Sequence, residues 1–425
     1  MLKFDSEGRL IWQKSYGGAG NDYPTDVREV PAGGFIICGC TRSFGSGRDD
    51  AWILRLNDSG GILWQKAFGG TGRDYATSVQ TDADNGFVVT GGTSSWGQGD
   101  MDIWVMKLSV GGDIQWSKTY GGAGFDWASS LAPAASGGWL VAGDTFSFGQ
   151  GKNDLWILRL TSGGDVLWQK TIGGADHDWA FRAKTVNGTD HVLIADTFSF
   201  GAGENDAWLL HIDAGGNVFW QKTCGGPSFD WLGGLDLLQG GGFVAVGGTY
   251  SFGAGQDDLW AMRMTGSGEP VWQKVYGGMK GDSGTSLADY GSDQCLVQGT
   301  TSSHAAGEKD VWLLQLGTRL GSADSLSGRP AAFESAATQA AAIDSSGEVK
   351  AIGLLGVDTQ IQAHKTSALV NIYYNGRLVD ALVAMQYVSG MDTGNTTFPA
   401  IEVNQDGRTG LAEAVYVLQC LGGLK

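Results

Sequence analysis

The sequence predicts an all-β fold, a six-bladed β-propeller of four-stranded blades in 52-residue repeats, followed by a small, mainly helical C-terminal module. Three observations predict it. Trp-x-Lys followed by Gly-Gly recurs six times without a slip, at Trp12, Trp64, Trp116, Trp168, Trp220 and Trp272. Gly is over-represented (71 of 425 residues) with only 7 Pro, as expected of many short strands joined by glycine-bearing turns. A second tryptophan column, Trp52, Trp104, Trp156, Trp208, Trp260 and Trp312, runs at the same period, and both columns suit a core between neighbouring blades.

The copy from Asp74 to Gly122 shows the unit. Asp74 to Val79 is rich in small residues, as a crowded central strand requires. Asp84-Asn85-Gly86 is a turn, and Phe87 to Gly91 is a second strand. The loop Thr93 to Gly99 leads to a third strand, Asp102 to Leu108. A Gly-Gly turn leads to the fourth, Asp113 to Lys118. Neither face of such a sheet can be buried by the blade alone, so neighbours must cover it.

The sixth copy, Asp282 to Leu316, stops after its third strand. The strand it lacks stands at the other end of the chain, at Leu10 to Lys14, and its addition would close the ring. Leu2-Lys3-Phe4 then repeats a third-strand end that Leu314 to Leu316 already supply, as in a truncated gene product with more sequence, a signal peptide included, upstream.

Composition limits the function. A net charge of −17 argues against nucleic-acid binding, which needs a basic face. No run of 18 apolar residues is present to span a membrane, and Met1 leads straight into Leu-Lys-Phe-Asp with no leader. Five cysteines read as thiols rather than a disulfide frame: Cys295 takes the Phe35 column, Cys224 the Tyr16 column, and Cys38 and Cys40 lie two apart on one strand.

Lys14, Gly17, Gly18, Asp22, Thr41, Ser43, Gly47 and Asp50 begin columns identical in all six copies. The Asp22 and Asp50 columns fall in two loop sets that emerge on one face of a propeller, giving that face twelve acidic groups. An Asp beside a glycine-rich loop most often holds the turn by accepting backbone N–H bonds. Function is sought in what varies. The residues after the Asp22 column are Tyr23, Tyr75, Trp127, Trp179, Trp231 and Ser283. Aromatics beside Asp126, Asp178 and Asp230 suit a glycan or peptide ligand, so these three acids, with Tyr23, Tyr75, Trp127, Trp179 and Trp231, form the candidate ligand site. The sixth copy departs most, with Ser302-Ser303-His304-Ala305-Ala306. No catalytic residues are assigned: the five histidines form no His-x-x-x-His pair, and no nucleophile elbow or phosphate loop is present.

The unit Trp-Gln-Lys-x-Tyr-Gly-Gly, with Gly-Gly-Phe and Thr-x-Ser-Phe-Gly-x-Gly-x-x-Asp-x-Trp, resembles repeats of large secreted or surface proteins of bacteria and archaea. The resemblance covers residues 1 to 316 and implies a propeller at the cell surface or outside the cell. Leu54-Arg55-Leu56 to Trp64 also looks distantly like a pyrroloquinoline-quinone-type repeat. Too few blades and non-adjacent Cys38 and Cys40 argue against that cofactor.

After residues 1–317 come an Ala/Ser/Gly-rich linker, 318–345, and a C-terminal module, 346–425. Glu402, Asn404, Asp406 and Glu413 occupy positions 1, 3, 5 and 12 of a calcium loop, with Gly407 at the tight turn and Arg408 ligating through its carbonyl. Leu411, Val415 and Leu418 then share one helical face. With a degenerate sister copy at Asn375-Gly376-Arg377, the pair resembles a dockerin module. The resemblance implies one Ca2+ ion and a cohesin-like partner. The reading is therefore a non-enzymatic secreted or cell-surface binding or scaffold protein with a glycan or protein ligand. The alternatives are a glycan-active enzyme using the acidic face and a purely structural surface-array protein.

Overall fold

The computed structural model describes residues 1–5, 9–134, 137–291, 294–305 and 308–317, and strands at 339–343, 349–353, 360–362 and 371–373. A short hairpin, β1 (Leu2–Phe4) and β2 (Leu10–Gln13), comes first. The first blade is β3 (Asp22–Glu29), β4 (Phe35–Thr41), β5 (Asp50–Leu56) and β6 (Ile62–Phe68), antiparallel in that order. The second is β7 (Asp74–Thr81), β8 (Phe87–Thr93), β9 (Asp102–Leu108) and β10 (Ile114–Tyr120). The third is β11 (Asp126–Pro133), β12 (Trp139–Thr145), β13 (Asp154–Leu160) and β14 (Val166–Ile172). The fourth is β15 (Asp178–Val186), β16 (Asp190–Thr197), β17 (Asp206–Ile212) and β18 (Val218–Cys224). The fifth is β19 (Asp230–Leu237), β20 (Phe243–Thr249), β21 (Asp258–Met264) and β22 (Pro270–Tyr276). The sixth has three described strands, β23 (Asp282–Gly291), β24 (Gln294–Thr301) and β25 (Asp310–Gly317). The protein is thus an all-β propeller of six blades. Beyond it, β26 (Gln339–Ile343) pairs with β27 (Val349–Gly353), and β28 (Gln360–Gln362) with β29 (Asn371–Tyr373). The calcium-loop residues Glu402, Asn404, Asp406, Arg408 and Glu413 lie outside the described residues.

The core sits between blades, as the one-sided burial of a sheet requires. Ile36, Cys38 and Ile53 of the first blade pack with Val79, Phe87 and Trp104 of the second. The Trp52 column is buried throughout, and the thiols of Cys38, Cys40 and Cys295 are buried and free. Trp64, Trp116, Trp168, Trp220 and Trp272 of the Trp12 column pack against this core, partly buried, and the column has a further task. Trp64 Nε1 donates to Val110 O of the next blade at 3.0 Å, and Trp168 and Trp220 repeat the bond to Ala214 O and Gly266 O. Its ring lies against Gly112, whose φ of +79° and lack of a Cβ both serve the contact. Lys66, Lys118 and Lys222 reach the same turns, ending on Asp113, Asp165 and Glu269 at 2.6–2.7 Å. Each blade is therefore latched to the next at its outer edge. At the loop end, Asp74, Asp126, Asp178, Asp230 and Asp282 each donate a backbone N–H to the preceding blade.

Ring closure by the N-terminal strand is not what the chain does. β2 pairs with β1 (Leu2↔Gln13, Lys3↔Trp12), and the described partner of β25 is β24 alone. The five-residue connection 5–9 closes this hairpin locally, at far smaller entropic cost than joining strands some 300 residues apart. Trp12 Nε1 donates to Asp58 O at 3.1 Å, the bond its column makes at other joints. The hairpin thus stands as the outer half of a blade in front of the first. Val27 is 46% exposed where its equivalent Val79 is fully buried, and Val311 is 54% exposed where Ile103 is fully buried.

Candidate functional site

The loops between blades and between second and third strands share one face. Their shape is set by the repeated acids. Asp178 accepts hydrogen bonds from Thr197 Oγ1, from Ser199 Oγ at 2.8 Å and from Gly174 N at 2.9 Å. Asp126 does the same with Thr145, Ser147 and Gly122, and Asp230 with Thr249, Ser251 and Gly226. All three carboxylates are fully buried. They hold the turns and are out of a solute's reach.

Asp50, Asp102, Asp154, Asp206 and Asp258 are buried beside them, and Asp310 is half-buried. Asp102 accepts the Gln98 N–H at 2.6 Å, and its pKa is raised by burial, with Asp126 adding to the rise. Asp258 is pushed up to about 6 in the same way, Asp282 adding its charge. The glycine after each outer strand is obligatory: a Cβ on Gly121 would overlap Asp102 Oδ1 and stand 2.8 Å from Asp126 Oδ2. Among the described residues no group of three acid, His or Cys side chains is placed to hold a metal ion.

What varies between blades is gathered into one belt of rings. Tyr75 meets Trp127 at 5.4 Å, and Trp127 stacks on Phe125 at 6.0 Å and 14°. Phe125 meets Phe146 edge-on at 6.3 Å, and Phe146 meets His177 at 6.0 Å. His177 stacks on Trp179 at 5.3 Å and 7°, and Trp179 meets Phe198 at 5.4 Å. Phe198 meets Phe229, and Phe229 meets Tyr250, at 6.1 and 6.5 Å. Of the expected ligand residues, the belt unites Tyr75, Trp127 and Trp179. Tyr23 stands exposed on the first blade, and Trp231 lies over Gly248 of its own sheet. Phe125, Phe146, Phe198 and Tyr250 are exposed members that sequence reasoning missed. Their signal was present: the columns of Arg42 and Arg73 become aromatic in the third to fifth blades.

Two further variable acids lie beneath the belt. Asp144 pairs in register with Trp127, and Asp196 with Trp179. Burial pushes Asp144 up to about 7, and the Asp126 charge adds to this. Burial holds Asp196 well above the usual carboxylate range, against hydrogen bonds from the Asn205 side chain and Leu232 N–H. Asp196 Oδ1 and Asn205 Oδ1 are both buried without a donor. Asn153, one repeat before Asn205, contacts His177 Nδ1 through Oδ1 and donates to Asp178 O at 3.2 Å, which fixes the imidazole in the belt.

No protein-family model matches the chain, and no curated protein does. Solved structures do resemble it. The Neurospora crassa Pan2 WD40 domain is 10% identical over 65% of this chain and 86% of that one, at a TM-score of 0.37. Sqt1 from Chaetomium thermophilum is 12% identical over 73% and 72%, at 0.41. A protein of unknown function from Dyadobacter fermentans is 10% identical over 69% and 94%, at 0.45.

Proposed function

We propose that this is a non-enzymatic, extracellular or cell-surface binding protein whose loop face takes a glycan chain. The observation that carries the reading is the unbroken belt from Tyr75 to Tyr250. Soluble proteins rarely leave so many large rings in contact and in water without a partner. Flat aromatic faces stack on the C–H faces of sugars, and the hydroxyls and carboxamides of the loops suit sugar hydroxyls. A belt one ring wide that runs from blade to blade suits an extended chain better than a compact ligand. The repeated carboxylates are spent on the loops, which favours binding over hydrolysis. Trp179→Ala is expected to weaken oligosaccharide binding at least tenfold, because stacked rings at the centre of an interface carry much of its energy. Its melting temperature should stay within a few degrees of the parent. Equal loss of stability and binding would make Trp179 a core residue and remove the belt's anchor.

The tail is proposed to bind one Ca2+, on the spacing of Glu402, Asn404, Asp406, Arg408 and Glu413. Calorimetry of the full chain should show binding heat that Glu413→Ala abolishes. The same heat from both proteins would reject the site and the dockerin-like reading with it.

A further inference from the structure

The belt ends on arginine. Arg42 occupies the column of Phe146 and Phe198, and Arg73 that of Phe125 and Phe229. At the joint of the first two blades guanidinium groups therefore stand where rings stand elsewhere. Asp49, 2% exposed, organises them. Arg42 Nε lies 2.6 Å from Asp49 Oδ1, and Arg73 Nε 3.8 Å from Oδ2. Tyr75 Oη, whose ring begins the belt, donates to Asp49 Oδ2 at 3.3 Å. Half of each arginine side chain remains in water. Arg48, on the same loop as Arg42, is exposed and has no side-chain partner among the described residues.

Neutralising Asp49 needs one guanidinium, and three are present. On a chain of net charge −17, three guanidinium groups are gathered in the water-facing layer of this face, over the buried Asp49, Asp50 and Asp74. An acidic polymer is repelled by most of this protein, so these exposed guanidinium groups select where its anionic groups can lie. The Arg fork presents paired N–H donors matched to the oxygens of a carboxylate or sulfate. We infer that the joint of the first two blades is an anion subsite, and that the glycan on the belt is an acidic polysaccharide. Its carboxylate or sulfate groups would sit on Arg42, Arg48 and Arg73, and its rings on Tyr75 and Trp127 onward. This rests on the glycan reading of the belt.

Calorimetry of the full chain tests it with three oligosaccharides of equal length: neutral cello-oligomers, carboxylated oligogalacturonate and sulfated cello-oligomers. At least one acidic series should bind more tightly than the neutral one, with an affinity that falls as salt rises. The carboxylated and sulfated arms identify the anion. Arg48→Glu touches no partner and Arg73→Gln leaves Arg42 on Asp49, so both variants should fold. Together they should lower the preference for acidic over neutral oligomers about tenfold. An unchanged preference, with Trp179→Ala still weakening binding, would overturn the anion subsite and leave the glycan face standing. No binding of any series would overturn both.

Discussion

Asp178→Ala is expected to lower folding stability by about 3 kcal/mol or more, although no ligand contact is lost. The fully buried carboxylate is the common acceptor for Thr197 Oγ1, Ser199 Oγ and Gly174 N–H. Removing an acceptor from a buried donor costs about 1–3 kcal/mol per donor, and part is recovered as the loop relaxes. The same loop carries the Asp178 N–H bond to Asn153 O at the joint with the third blade. Loss should therefore spread to the neighbouring blade. Urea unfolding would measure it, and Asp178→Asn should fall between the two, since it keeps one acceptor. A change below about 1 kcal/mol would mean that the glycines and the backbone bonds hold the turn without the acid.

Asp144→Asn should have an opposite and pH-dependent effect. Burial raises the folded pKa of Asp144 to about 7, against about 3.9 in an unfolded chain. Between these values the folded state binds more protons than the unfolded one. The contribution of this group is thus fully present below about pH 4, declines as pH rises, and is lost above about 7. Three units correspond to roughly 4 kcal/mol as an upper bound. The amide cannot ionise, so the stability of the variant relative to the parent should climb through this window. It should exceed the parent at pH 8. Asp196, also raised by burial, acts in the same direction. A parent–variant difference that stays flat from pH 4 to 8 would show that Asp144 is ionised throughout.

Much of the fold was legible because the repeat states each structural demand six times. A column of tryptophan, an Asp facing Thr and Ser, and a glycine packed under a ring are local necessities, and local necessities recur. The pairing of the N-terminal strand was harder to foresee. The Leu2-Lys3-Phe4 duplication was visible, but a hairpin and an added edge strand use the same residues, and chain entropy decides between them. The belt was half legible. Trp127 and Trp179 announce themselves beside the Asp column. Phe146 and His177 meet only because the loop of one blade abuts the next inner strand, 31 residues on, so no spacing on a single element marks them. Asp144 and Asp196 stand in a column of Cys, Gly and Thr, and only their burial in the fold marks them.

The central claim is that the belt is the binding surface, and fluorine NMR of the chain labelled with 5-fluorotryptophan addresses it directly. Resonances are assigned by single Trp→Phe substitutions, and oligosaccharide is added. The account predicts that Trp127 and Trp179 shift and saturate together, while the buried Trp104, Trp156, Trp208 and Trp260 do not move. Saturable shifts confined to tryptophans off the loop face, or none at all with any of the three oligosaccharide series, would contradict it.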